Sequence, residues 1–86
     1  MLSSNLSNKL NSQIEKEAYS SQLYLSMASW AEVKGYTGVS EFLYTHSDEE
    51  RQHMLKLVRF INERGGHAVV PELKAPPVTF DTLKLV

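Results

Sequence analysis

Residues 42–54 read Phe42-Leu43-Tyr44-Thr45-His46-Ser47-Asp48-Glu49-Glu50-Arg51-Gln52-His53-Met54, with no glycine or proline. Apolar positions at Val39, Phe42, Leu43, Leu57, Phe60 and Ile61 recur at helical spacing on either side of its centre. Between them the same stripe passes through His46, Glu50 and His53, so ionisable groups interrupt an apolar helix face. Glu50 and His53 are three residues apart, which places them on one face about one turn from each other. A carboxylate and an imidazole so spaced can reach one metal ion.

Upstream lies a second helical stripe: Leu6, Leu10, Ile14, then Tyr24, Ala28 and Ala31. It passes through position 17, so Glu17 sits mid-length on the face that ought to be buried. A buried carboxylate without a partner is costly unless something neutralises it. Three or four such groups on facing sides of one hairpin call for a shared counter-charge, and a cation supplies it. One Glu from a helix plus Glu-x-x-His from its neighbour is half of the carboxylate-bridged dinuclear constellation of four-helix bundles.

Working outward, the predicted organisation is all-α. Helix one covers about 5–34, with Ser4 or Asn5 as N-cap and Gly35 as its stop. Residues 35–38 are a short connection, which implies an antiparallel hairpin. Helix two covers about 39–64 and ends at Gly65-Gly66. A crossing segment over about 65–79 carries Pro71, Pro76 and Pro77. Residues 80–86 then read as the start of a third helix. One helical turn is not stable by itself, so the end at Val86 reads as a truncation. The whole chain, 1–86, is one partial domain.

Composition narrows the chemistry. An 86-residue chain buries a modest share of its surface and folds only marginally alone. It has no cysteine, so disulfides and thiolate ligands are excluded. Carboxylate and imidazole suit iron, manganese or zinc better than copper(I). The net charge is −1 with both signs dispersed, and no basic stripe suggests a nucleic-acid partner. No long apolar run suggests a membrane span, and the N-terminus does not read as a signal peptide. The expected location is the cytoplasm.

Each singled-out residue also has a bland reading. Glu17 is solvated if the stripe is drawn one position over. His53 also fits a hydrogen-bonded core histidine. His46, a full turn before Glu50, reads as structural and not as a ligand. Tyr24 is a buried aromatic whose hydroxyl needs a partner and could bond a metal-bound carboxylate. Glu15, Glu41, Asp48 and Glu49 read as surface charge from the pattern alone.

Glu17-Ala18-Tyr19-Ser20-Ser21-Gln22-Leu23-Tyr24-Leu25 resembles the first-helix signature of ferritins, and residues 42–54 resemble their second-helix signature. Arg64-Gly65-Gly66 before a proline-bearing crossing loop is similar too. The likeness runs through nearly the whole chain, to the N-terminal half of a bacterial non-haem ferritin. It implies half of a ferritin-like four-helix bundle, and for the full family a homo-oligomeric shell of 24 subunits. It implies that Glu17, Glu50 and His53 hold the first iron of a di-iron centre, with Glu50 bridging to the second. Glu49 matches a position that helps bind a third iron, and Tyr24 matches the tyrosine beside the centre. The implied reaction is ferroxidase chemistry: Fe(II) is oxidised by O₂ or peroxide and stored as a ferric mineral. Carboxylates favour the harder Fe(III), which helps drive the oxidation.

Two departures shape the reading. The helices that complete the second iron site in this family do not follow Val86. Arg51 stands directly after Glu50, where haem-binding relatives carry methionine, so no haem is expected. The competing reading is a metal-free, self-associating helical hairpin without catalytic activity. A rubrerythrin-like peroxidase shares the ligand pattern but adds a cysteine-ligated iron domain, for which this chain has no cysteine. Two copies of the hairpin could also pair through their apolar faces and gather both ligand sets at one centre.

Overall fold

The computed structural model describes residues 2–81. Helix α1 spans Ser4–Val33 and helix α2 spans Thr37–Glu63. They form an antiparallel helical hairpin, all-α among the described residues. α1 is capped by Ser3, not by Ser4 or Asn5. The Ser3 hydroxyl accepts the Leu6 amide at 3.1 Å, so the helix starts one residue earlier than the sequence pattern implied. α2 likewise starts ahead of its predicted first residue, because Gly38 joins the first turn instead of the connection.

Both helices stop in the same way. Tyr36 N–H donates to Ala31 at 2.9 Å and Gly35 N–H to Glu32 at 3.0 Å. At the far end Gly66 N–H donates to Ile61 at 3.0 Å and Gly65 N–H to Asn62 at 3.4 Å. This pairing satisfies the last carbonyls and needs a left-handed residue just past the cap. Gly35 and Gly65 supply it, with φ of 84° and 82°.

The helices meet along a seam of small residues flanked by two apolar clusters. At the open end Ile14 and Ile61, 1% and 0% exposed, enclose Ala68. Near the turn, Ala28, Ala31 and Leu43 pack with Tyr24, Met27, Trp30 and Tyr44. Between them the Ser47 hydroxyl donates to the Ser21 carbonyl at 2.7 Å, and the Ser21 hydroxyl donates to the Ser47 carbonyl at 2.8 Å. Each such bond contributes about 1 kcal/mol net. Serine hydroxyls and alanine methyls at the contact let the two backbones approach closely.

After Gly66 the chain turns back along one face of the hairpin as a strap without helix or strand among the described residues. Asn11 holds its start: its side-chain oxygen accepts the Val69 amide at 2.8 Å, and its amide group donates to the His67 carbonyl at 3.3 Å. Asn62 accepts the Ala68 amide at 2.8 Å. Further along, the Ser26 hydroxyl donates to the Pro77 carbonyl at 2.6 Å, and Phe80 meets Trp30 edge-on. Phe80 and Asp81 are not helical, and the rest of the helix start expected over 80–86 lies outside the described residues.

The opposite face carries no strap. Phe42, Val39 and Phe60, read from sequence as part of the buried stripe, are 59%, 44% and 37% exposed there. The contact between helices uses Ser40, Leu43, Ser47 and Ile61 of α2 instead.

Candidate metal centre

Glu17, Glu50 and His53 come together at mid-length of the hairpin, on its uncovered face. One donor atom from each lies within 4.8 Å of the others. His53 Nδ1 is 3.7 Å from Glu17 Oε2 and 3.8 Å from Glu50 Oε1. Neighbouring ligands on an ion bound at about 2.1 Å stand roughly 3.0–3.4 Å apart, so small side-chain rotations close the set on one ion. The register follows from the sequence. Glu50 and His53 share a face of α2, and antiparallel pairing brings position 17 of α1 opposite them.

The electrostatics are those of two carboxyls without enough positive charge. Glu50 is pushed above the usual carboxylate value, first by its hydrogen bond with Glu17, then by desolvation and the Glu17 charge. Glu17 is held below that value, chiefly by the same bond to Glu50, against an opposing effect of burial. Gln13 and His53 add to the lowering. As pH falls, Glu50 therefore takes up a proton before Glu17 does. A cation placed among the ionised groups relieves their repulsion.

The sequence reading put these groups inside the helix–helix contact, and the structure corrects that. Glu17 and Glu50 side chains are 18% and 23% exposed, and His53 is 55% exposed. The cluster is reachable from solvent. His46 is not among the three: its ring stacks near Phe42 and Tyr24, with centroids at 4.3 and 5.5 Å, and its Nδ1 lies 3.7 Å from Glu49. Glu49 is exposed and outside the triplet. Tyr24 lies beside His46, and among the described residues its hydroxyl makes no hydrogen bond to Glu17 or Glu50. Sequence reasoning missed Gln13, whose amide donates to Glu17 Oε1 at 3.0 Å. The signal was its four-residue spacing from Glu17, which puts both on one face.

The molecule is thus a helical hairpin, half of a four-helix bundle, with a carboxylate–imidazole cluster at mid-length that could hold a metal ion. Residues 7–86 match the ferritin-like domain family, and the chain belongs to that family. A probable bacterial non-heme ferritin-like protein of Haemophilus influenzae is 44% identical over 86 residues, all of this chain and 52% of that protein. A bacterial non-heme ferritin of Campylobacter jejuni is 41% identical over 83 residues, 96% of this chain and 50% of that one. Among solved structures, a Chlorobium tepidum ferritin superposes with a TM-score of 0.91 at 37% identity, over 99% of this chain and 53% of its own. The chain spans about half the length of the curated relatives it matches. Among the described residues, no helix is long and apolar enough to cross a membrane.

Proposed function

We propose that this chain serves iron storage, with Glu17, Glu50 and His53 as the ligands at which Fe(II) is captured and oxidised. The observation that carries the reading is the convergence of these three side chains on one solvent-reachable point. Iron is the substrate here. The chain's own residues do three things: the two carboxylates bind the cation, His53 fixes the third position, and Gln13 orients Glu17. An oxygen-rich donor set holds Fe(III) more tightly than Fe(II), which favours oxidation by O₂ or peroxide. Glu50 would bridge to a second iron, which makes it the least replaceable ligand. Glu49, next to it and exposed, would serve a third iron nearby, and Tyr24 would flank the centre. Arg51 argues against haem. The cytoplasm and a homo-oligomeric shell are the setting that the family likeness suggests.

Stopped-flow absorbance after mixing the protein with Fe(II) and O₂ tests this reading. The parent shows a fast oxidation phase, Glu50→Ala loses it, and Glu49→Ala keeps it but alters later turnover. Oxidation by Glu50→Ala at the parent rate would falsify the assignment.

A further inference from the structure

Glu17 presents its two carboxylate oxygens to different neighbours. Its Oε1 accepts the Gln13 side-chain amide at 3.0 Å. Its Oε2 lies 3.7 Å from His53 Nδ1, toward the other donor groups of the cluster. We propose that Gln13 is a positioning residue that keeps Oε1 engaged, so that Glu17 meets a metal ion through Oε2 alone and the site favours small transition-metal ions over Ca(II). The proposal rests on the reading of Glu17, Glu50 and His53 as metal ligands.

The chemistry of the side chain suits this part. Gln13 stands one turn before Glu17 on the same face of α1, within reach of its carboxylate. Its amide donates without taking or losing a proton, so the donor is present at every pH. A lysine in its place would also donate, but would set a positive charge against the incoming cation. An apolar side chain would leave Oε1 free to turn toward the ion.

Denticity follows from the bond. To chelate one ion with both oxygens, the Glu17 carboxylate must rotate until the two stand at nearly equal distance from it. That rotation carries Oε1 off the Gln13 amide and breaks a hydrogen bond to an ionised acceptor, the stronger kind. Binding through Oε2 keeps it.

Selectivity follows from denticity. Ca(II) takes about six to eight oxygen ligands and gathers them partly by chelating carboxylates with both oxygens. Zn(II), Co(II) and Fe(II) need fewer ligands and accept imidazole readily. With His53 as one donor and Glu17 held to one oxygen, the cluster is poor in oxygen for Ca(II).

Co(II) titration of the protein tests the proposal, because the visible band of Co(II) weakens as its coordination number rises. Gln13→Met keeps the length and helix propensity of the side chain and removes the donor. Its Co(II) band should be weaker than the parent's, as Glu17 turns both oxygens to the ion. Ca(II) should displace Co(II) from the variant at roughly one-tenth of the concentration the parent needs, the worth of one such hydrogen bond. Gln13→Ala, which also lacks the donor, should behave in the same way, with circular dichroism unchanged in both. A merely structural role would weaken both metals alike and leave the band as it was. A parent-like band, or a parent-like ratio of Ca(II) to Co(II) affinity, overturns the role of Gln13 and leaves the metal ligands standing. A parent that binds no Co(II), or Glu50→Ala that binds it as tightly as the parent, overturns the ligand reading and this proposal with it.

Discussion

The two long faces of the hairpin have opposite economies. Along one, the strap adds backbone hydrogen bonds to Asn11, Asn62 and Ser26 and buries Ala68 against Ile14 and Ile61. Along the other, Phe42, Val39 and Phe60 remain in water beside two carboxyls that crowd each other. The strapped face holds the chain folded. The open face carries the candidate metal ligands. Stability and binding are therefore separable here, and substitutions on the two faces should report on different measurements.

The sharpest break uses adjacent residues. Ile61 is fully buried and Phe60 is 37% exposed. Ile61→Ala should cost about 2–5 kcal/mol in urea unfolding with EDTA present, from lost burial and the cavity left behind. Phe60→Ala should cost about 1 kcal/mol or less in the monomer, mostly the Arg64 guanidinium stacked on its ring. Equal losses for the two would mean that the open face is already covered in solution.

Glycine positions give the next contrast. A Cβ on Gly66 would stand 2.8 Å from the Ile61 Cγ2 and 3.2 Å from its carbonyl oxygen. Gly66→Ala should therefore cost about 1–3 kcal/mol by overpacking. A Cβ on Gly38 meets nothing within 4 Å, so Gly38→Ala should be neutral or stabilise by up to about 1 kcal/mol. Thermal unfolding of both variants checks the pair, and a harmless Gly66→Ala would show that the strap's root moves freely.

Smaller again is the anchor of the strap. Asn11→Ala removes both bonds to His67 and Val69, for about 1–2 kcal/mol at the strap and little at the metal site. Hydrogen exchange at the Val69 amide should speed up while Zn(II) affinity stays at the parent value. Loss of metal binding in this variant would join two faces that the structure keeps apart.

Sequence showed the helices and the candidate metal cluster more readily than it showed which face was which. Helical spacing fixed two rods, and Gly35 and Gly65 fixed their ends, because left-handed backbone leaves a composition signal. Glu17, Glu50 and His53 stood out because they break apolar stripes. The same stripes misled on burial. An apolar stripe at helical period says that a face wants cover, without saying what covers it. Phe42 and Phe60 satisfy the pattern as well as Leu43 and Ile61, yet only the latter pair lies between the helices. The true contact is written in Ser21, Ser40 and Ser47, which hydropathy counts as surface. Ser21 and Ser47 act through reciprocal bonds across 26 residues, a relation no local window contains. The strap was legible as an extended prolyl segment, but not its docking side, which Asn11 and Ser26 decide by tertiary hydrogen bonds.

The smallest effect is also the most specific to the open face. Glu50 is raised by Glu17, and Glu17 is lowered by Glu50, so their contributions to stability run against each other. A lowered Glu17 stabilises the fold above its unfolded pKa and loses that as pH falls through its folded one. A raised Glu50 does the reverse: its favourable share is full below its unfolded pKa and is lost as pH rises through its folded pKa. At neutral pH both are ionised and repel, with solvent screening the cost because neither is deeply buried. Glu50→Gln removes that repulsion and keeps a donor for Glu17. In EDTA at pH 7 the variant should melt slightly above the parent. The gap should close as pH falls through the folded pKa of Glu50, where the parent regains its own proton. Zn(II) should invert the order, because the parent gains a ligand that glutamine cannot supply. A variant that melts below the parent in EDTA at pH 7 would mean that Glu50 serves the fold, and the separation of the two faces would fail at the residue where it matters most.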